Sequence, residues 1–150
     1  MDNTAWELTA SVDTDATLEF AWSYWANVAN WNDPPATFEL GGPFAAGSQG
    51  ITRIPGQEPL RWLIRAVSAP DTAAIELELK GAVLLFQWKL EPLTSDRTRL
   101  TQRVVLQGEN AAEFRPQLEA TLASSLPAGM KTLGRAIAEA AANSQDPDGR

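Results

Sequence analysis

The sequence predicts one α+β domain: a bent antiparallel sheet of about seven strands wrapped around a long C-terminal helix, with a short helical pair after strand 1. Three observations carry this. Residues 48 to 107 alternate apolar and polar side chains, broken by turn signals, which is the pattern of a strand meander. Residues 111 to 142 switch to helical period. At 150 residues the chain fits one domain, read as residues 1 to 142, followed by a polar, flexible tail over residues 143 to 150 (NSQDPDGR).

The first strand is read from Trp6, Leu8, Ala10 and Val12, which alternate with Glu7, Thr9 and Ser11. Thr14 or Asp15 then caps a helical segment with apolar positions at Leu18, Trp22, Trp25 and Val28. Pro34 and Pro35 end it near Trp31. Phe38 and Leu40 open a second strand, stopped by Gly41, Gly42 and Pro43.

Three turns set how the later strands face one another. A type II′ turn at Gly81-Ala82 places Leu79 opposite Leu84, Leu77 opposite Phe86 and Ile75 opposite Trp88. A type I turn centred on Pro70-Asp71 places Ala66 opposite Ile75, Ile64 opposite Leu77 and Trp62 opposite Leu79, with Arg65 across from Glu76 on the other face. A loop at Thr94, Ser95 and Asp96 places Leu90 opposite Leu100, Trp88 opposite Gln102 and Phe86 opposite Val104, with Glu91 facing Arg99 outside. All three give one apolar face and one charged face with matched signs, as a continuous antiparallel sheet requires. The turn around Pro55 to Pro59 leaves open whether Thr52 or Arg53 points inward.

The C-terminal helix, Ala111 to Ala142, carries the stripe Phe114, Leu118, Leu122, Leu126, Met130, Leu133 and Ile137, with a kink expected at Pro127 and Gly129.

Composition removes whole classes of chemistry. There is no Cys and no His, so disulfides, thiol nucleophiles, Ser-His-Asp triads and imidazole bases are excluded. No metal site and no cofactor is expected. Lys+Arg 12 against Asp+Glu 19 give a net charge of −7, which opposes binding to nucleic acid or anionic lipid. No apolar run is long enough for membrane insertion, and the N-terminus has no export pattern, so the expected location is cytoplasmic. The Gly-rich stretch Gly41 to Gly50 lacks the Lys-Ser/Thr of a phosphate loop and reads as a bend at a cavity rim.

Strand, helical pair, meander and long C-terminal helix is the order of the helix-grip fold. In Trp6 to Val12, the segment NWNDP (Asn30 to Pro34), FQWKLEPL (Phe86 to Leu93) and TRLTQRVVLQG (Thr98 to Gly108), the chain resembles the START-like/Bet v 1-like (SRPBCC) superfamily, including its polyketide cyclase/dehydrase and lipid-transport-like group. The resemblance implies a cavity between the sheet and the C-terminal helix, often holding an apolar or aromatic small molecule. It names no reaction.

Residues read as facing that cavity are the ligand-binding candidates: Trp22, Tyr24 and Trp25 on the first helical segment, Trp62, Phe86, Trp88 and Gln102 on the strands, and Leu118, Leu122, Leu126 and Met130 on the C-terminal helix. The inward tryptophans, Trp6 among them, either line a cavity or fill a core; Trp31 reads as a loop anchor. Gln102 needs a partner, which is a ligand, the Trp88 N–H or a buried water. Asn27, Thr121 and Ser125 are weaker polar candidates. Arg53, if inward, is a charge-stabilising cation for carbonyl chemistry. No catalytic residue is assigned, because Glu7, Glu39, Glu76, Glu78 and Glu91 fall on the charged face and an acid would have to come from a loop, such as Glu58 or Asp33. The expected function is binding of a hydrophobic or aromatic small molecule as carrier or sensor. The alternatives are a cyclase/dehydratase-type enzyme and a protein-interaction domain with a filled core. Oligomeric state is not legible in the sequence.

Overall fold

A computed structural model describes residues 4–31 and 35–144. Its elements are β1 (Thr4–Thr14), α1 (Leu18–Trp25), a short 3-10 helix (Val28–Asn30), β2 (Thr37–Leu40), β3 (Gln49–Arg53), β4 (Leu60–Ser68), β5 (Thr72–Leu79), β6 (Ala82–Thr94), β7 (Arg97–Gln107) and α2 (Ala111–Ser144). The seven strands form one antiparallel sheet in the order β1-β7-β6-β5-β4-β3-β2, a meander from β2 to β7 closed by β1 at its far edge.

The β6–β7 hairpin has the predicted register: Leu90 opposite Leu100, Trp88 opposite Gln102, Phe86 opposite Val104 and Glu91 opposite Arg99. Thr94 pairs with Arg97, so the loop itself is two residues, and an irregularity between Pro92 and Thr94 absorbs the third. The β5–β6 hairpin slips by two residues, and β4–β5 by one next to its turn and by two beyond a bulge. Leu79 pairs with Ala82, so the turn is Lys80-Gly81, with Gly81 at φ +77°, and Leu77 meets Leu84 while Ile75 meets Phe86. A glycine as the second central residue supplies positive φ there. Between β4 and β5 a bulge at Ile64/Ala66 changes the count, so Ile64 meets Ile75 and Trp62 meets Leu77. A slip of two preserves side-chain parity, so where it applies the same residues still face inward. On the turn side of the bulge the slip is one: Ala66 meets Ala74 and is exposed, not inward opposite Ile75 as expected, and Val67 packs on the core in its place. Arg65 still reaches Glu76, at 2.8 Å.

The helix α1 is capped by Thr17, whose hydroxyl accepts from Phe20 N–H at 3.1 Å, not by Thr14 or Asp15. Strand β1 runs on through Thr14, which is buried and donates to the Gly134 carbonyl of α2 at 2.6 Å. Asp15 pairs instead with Arg97 at 3.5 Å.

The helix α2 spans 34 residues, with Pro116 and Pro127 inside it. It takes in Asn143 and Ser144, which the sequence assigned to the tail; the rest of the tail lies outside the described residues. Its apolar stripe covers the concave face in two clusters. Met130 and Ile137 pack with Trp22, Trp25, Ile64 and Leu100. Leu126, with Phe114, Leu118 and Leu122, packs on Leu84, Val104 and Leu106, where Trp6 also packs. No helix of the described residues is long and apolar enough to cross a membrane.

Candidate functional site

A cavity of about 600 Å³ lies between the two clusters. Strands supply Trp62, Ile75, Leu77, Phe86, Trp88 and Gln102; α2 supplies Leu122, Leu126, Met130 and Leu133; α1 and the turn after it supply Tyr24, Trp25, Asn30 and Trp31. Alternation along the strands aims the first group inward, and the helical spacing of four aims the second group at them.

The turn after α1 is built by polar groups that satisfy a helix end. Asn27 Oδ1 accepts from Ala29 N–H at 3.1 Å and caps the short 3-10 helix. Asn30 Nδ2 donates to the Tyr24 carbonyl at 3.0 Å, and Trp31 Nε1 donates to the Trp25 carbonyl at 2.6 Å. Carbonyls at a helix C-terminus lack intrahelical donors, so these bonds fold the chain back and bring Trp31 over Trp25.

The result is a row of four indoles in the cavity wall. Trp62 and Trp31 have centroids 5.4 Å apart at 30°, Trp31 and Trp25 6.2 Å at 32°, and Trp25 and Trp88 4.7 Å at 39°. Phe44 abuts Trp25 edge-on at 5.1 Å, and Phe38 abuts Trp31 at 5.5 Å. Such offset and edge contacts stabilise aromatic pairs by about 0.5–1.5 kcal/mol each.

Polar atoms in the wall are few. Trp62 Nε1 donates to Thr52 Oγ1 at 3.1 Å. Ser125 and Thr132 hydroxyls donate within α2, to the Thr121 and Ala128 carbonyls. Gln102 is 8% exposed and has Ala10 on one side and Trp88 on the other. Its amide makes no hydrogen bond to another described residue, yet no fully enclosed side-chain N or O lacks a partner. Its amide atoms therefore open onto the cavity. An enclosed amide left without a partner costs about 1–3 kcal/mol.

Charge is kept outside. Tyr24 is the one lining residue with an ionisable side chain among the described residues. Arg53 lies on the outer face, half exposed, and its Nε donates to Glu39 Oε2 at 2.6 Å. It is thus not the cavity cation that the open register allowed: Thr52 pairs with Phe38 and Leu60, and takes the inward position. Glu7 is bonded to Arg103, Glu76 to Arg65 and Asp13 to Arg99. The hydrogen bond and charge of Arg99 hold the Asp13 carboxyl below the usual aspartate range. Glu58 is exposed in its turn, and Asp33 lies outside the described residues. No cluster of acidic ligands for a metal occurs among the described residues.

No family model matches this sequence, and no curated protein does. Solved structures match along nearly the whole chain. Norcoclaurine synthase from Thalictrum flavum superposes with a TM-score of 0.70 at 13% identity, over 93% of this chain and 98% of that one. The Zhui aromatase/cyclase from Streptomyces sp. R1128 gives 0.69 at 16%, over 88% and 93%. A protein from Arthrobacter aurescens gives 0.61 at 22%, over 92% and 87%. The chain has the helix-grip fold that these structures share.

Within this helix-grip frame, Tyr24, Trp25, Trp62, Phe86, Trp88, Gln102, Leu122, Leu126 and Met130 come together around one space. Trp22 and Leu118 do not line it. Trp22 sits behind Trp25, at 5.4 Å and 60°, and Leu118 packs in the second cluster. Sequence reasoning missed Trp31, Phe38 and Leu60 as wall residues, and left Thr52 as one of two open choices. Trp31 carries no periodic signal, since a hydrogen bond to a carbonyl places it. Phe38 and Thr52 stand directly opposite each other on β2 and β3, a pairing set by the connection over residues 41–48, whose length carries no turn signal that fixes register.

Proposed function

We propose that the protein binds a hydrophobic or aromatic small molecule between sheet and α2, as a carrier or sensor. The observation that carries this is the row of four indoles in the wall of a cavity with no Asp, Glu, Lys or Arg among its described lining residues. A volume near 600 Å³ falls in the usual range for small-molecule sites, about 300–1,000 Å³. It leaves a filled-core interaction domain without support. Likeness to an aromatase/cyclase and to a synthase supports the enzyme alternative only as a shared fold. Among the described lining residues, general acid–base chemistry would fall to Tyr24.

The test is titration with the neutral probe N-phenyl-1-naphthylamine. Saturable quenching of tryptophan emission with one site per chain is expected, weakened at least several-fold in Trp88→Ala. Absence of saturable quenching by this and other neutral aromatic probes overturns the reading.

A further inference from the structure

Three polar residues are buried among the described residues: Thr14, Thr98 and Gln102. Both threonines are satisfied inside the protein, donating to the Gly134 carbonyl at 2.6 Å and the Ala16 carbonyl at 2.9 Å. Gln102 is not, and its amide opens onto the cavity between two fully buried apolar neighbours on its own strand face, Leu100 and Val104. A sheet position in that company packs better with leucine or valine unless the amide has a task.

A primary amide presents a carbonyl acceptor and an N–H donor side by side in one plane. The complement is a ligand edge with a donor and an acceptor at matching spacing, the geometry by which glutamine pairs with two adjacent groups of adenine. The described lining residues offer nothing to neutralise a carboxylate or an ammonium, so against them an ionised ligand would lose its hydration without return. The aromatic row beside Gln102 begins with Trp88, directly across the β6–β7 pair.

We propose that Gln102 is the polar anchor of this cavity, and that the ligand it selects is an uncharged planar aromatic carrying a carbonyl beside an N–H or O–H. This rests on the binding reading above and adds the residue and the ligand edge that set specificity.

Three bicyclic probes of nearly one shape separate the terms: 2-quinolone, a neutral lactam; naphthalene, with no polar edge; and 2-naphthoate, ionised at neutral pH. The full chain should bind 2-quinolone about tenfold more tightly than naphthalene, since two neutral hydrogen bonds replace an unpaired amide, and should bind 2-naphthoate most weakly. In Gln102→Leu the preference for 2-quinolone should vanish while naphthalene binds as well or better. Gln102→Met, of similar length and without the amide, should behave alike and serves if the leucine variant does not fold. Naphthalene affinity reports an intact cavity in either variant, which a merely structural loss would not spare. Equal affinity for 2-quinolone and naphthalene in the wild type, an unchanged ratio in the variants, or tighter binding of 2-naphthoate overturns the anchor while leaving the binding reading standing. Failure of all three probes together with N-phenyl-1-naphthylamine overturns both.

Discussion

Gly50 and Trp62 stand opposite each other on β3 and β4, so close that a Cβ on Gly50 would lie 2.2 Å from Cζ2 of the indole. The ring of Trp62 lies over the glycine backbone on one strand and against Trp31 on the other side of the cavity mouth. Glycine is used here for the space it leaves and not for positive φ.

Gly50→Ala should therefore displace Trp62. The Thr52–Trp62 hydrogen bond and the Trp31 contact would go with it, at a cost of about 1–3 kcal/mol from overpacking and lost partners. Near-UV circular dichroism, which reports coupled indoles, should lose intensity, and probe affinity should fall. Adding Trp62→Leu to Gly50→Ala should recover part of the stability without recovering affinity, because the smaller side chain relieves the clash and leaves the row short. Unchanged stability and dichroism in Gly50→Ala would contradict the close approach.

How far the sequence discloses such features depends on how local their cause is. Inward and outward faces follow from parity, which survives a two-residue slip, so Ile75, Leu77, Phe86 and Trp88 face inward in spite of two misjudged turns. Register against the neighbour does not survive it. The Ile64/Ala66 bulge and the positive φ of Gly81 decide it, and neither is visible in hydrophobic period. Trp31 and Thr52 illustrate the remainder: one is placed by a hydrogen bond to a carbonyl six residues back, the other by which strand neighbour Gly50 must face. Gln102 was legible because an amide between Leu100 and Val104 breaks the pattern on a strand whose register was read correctly.

The contact between α2 and β1 rests on a second small residue. A Cβ at Gly134 would meet Val12 Cγ2 at 3.0 Å and Cγ1 at 3.2 Å, and the Gly134 carbonyl accepts from buried Thr14. Gly134→Leu should push the helix off the strand and destabilise the protein by about 1–3 kcal/mol, seen as a lower urea midpoint. Val12→Ala in the same chain should restore part of that loss, giving a favourable coupling between two sites that touch. Strict additivity of the two changes would show that the helix does not bear on Val12.

The edge strand β1 is held to β7 on the outer face by Asp13, whose carboxylate accepts from Arg99 Nε at 2.8 Å and Nη2 at 3.3 Å, the two residues being directly opposite. The bond lowers the folded-state pKa of Asp13 below the ordinary 3.8. A carboxyl whose pKa is depressed by folding stabilises the folded state at pH values above its unfolded pKa. That contribution is lost as the pH falls through the lower, folded value. Asp13→Asn should therefore be less stable than the wild type at neutral pH, and the gap should close progressively below about pH 4. The pair is open to solvent, so added salt should narrow the neutral-pH gap as well. A gap that widens on acidification, or that ignores both acid and salt, would mean that β1 is held by its backbone ladder with no help from this ion pair.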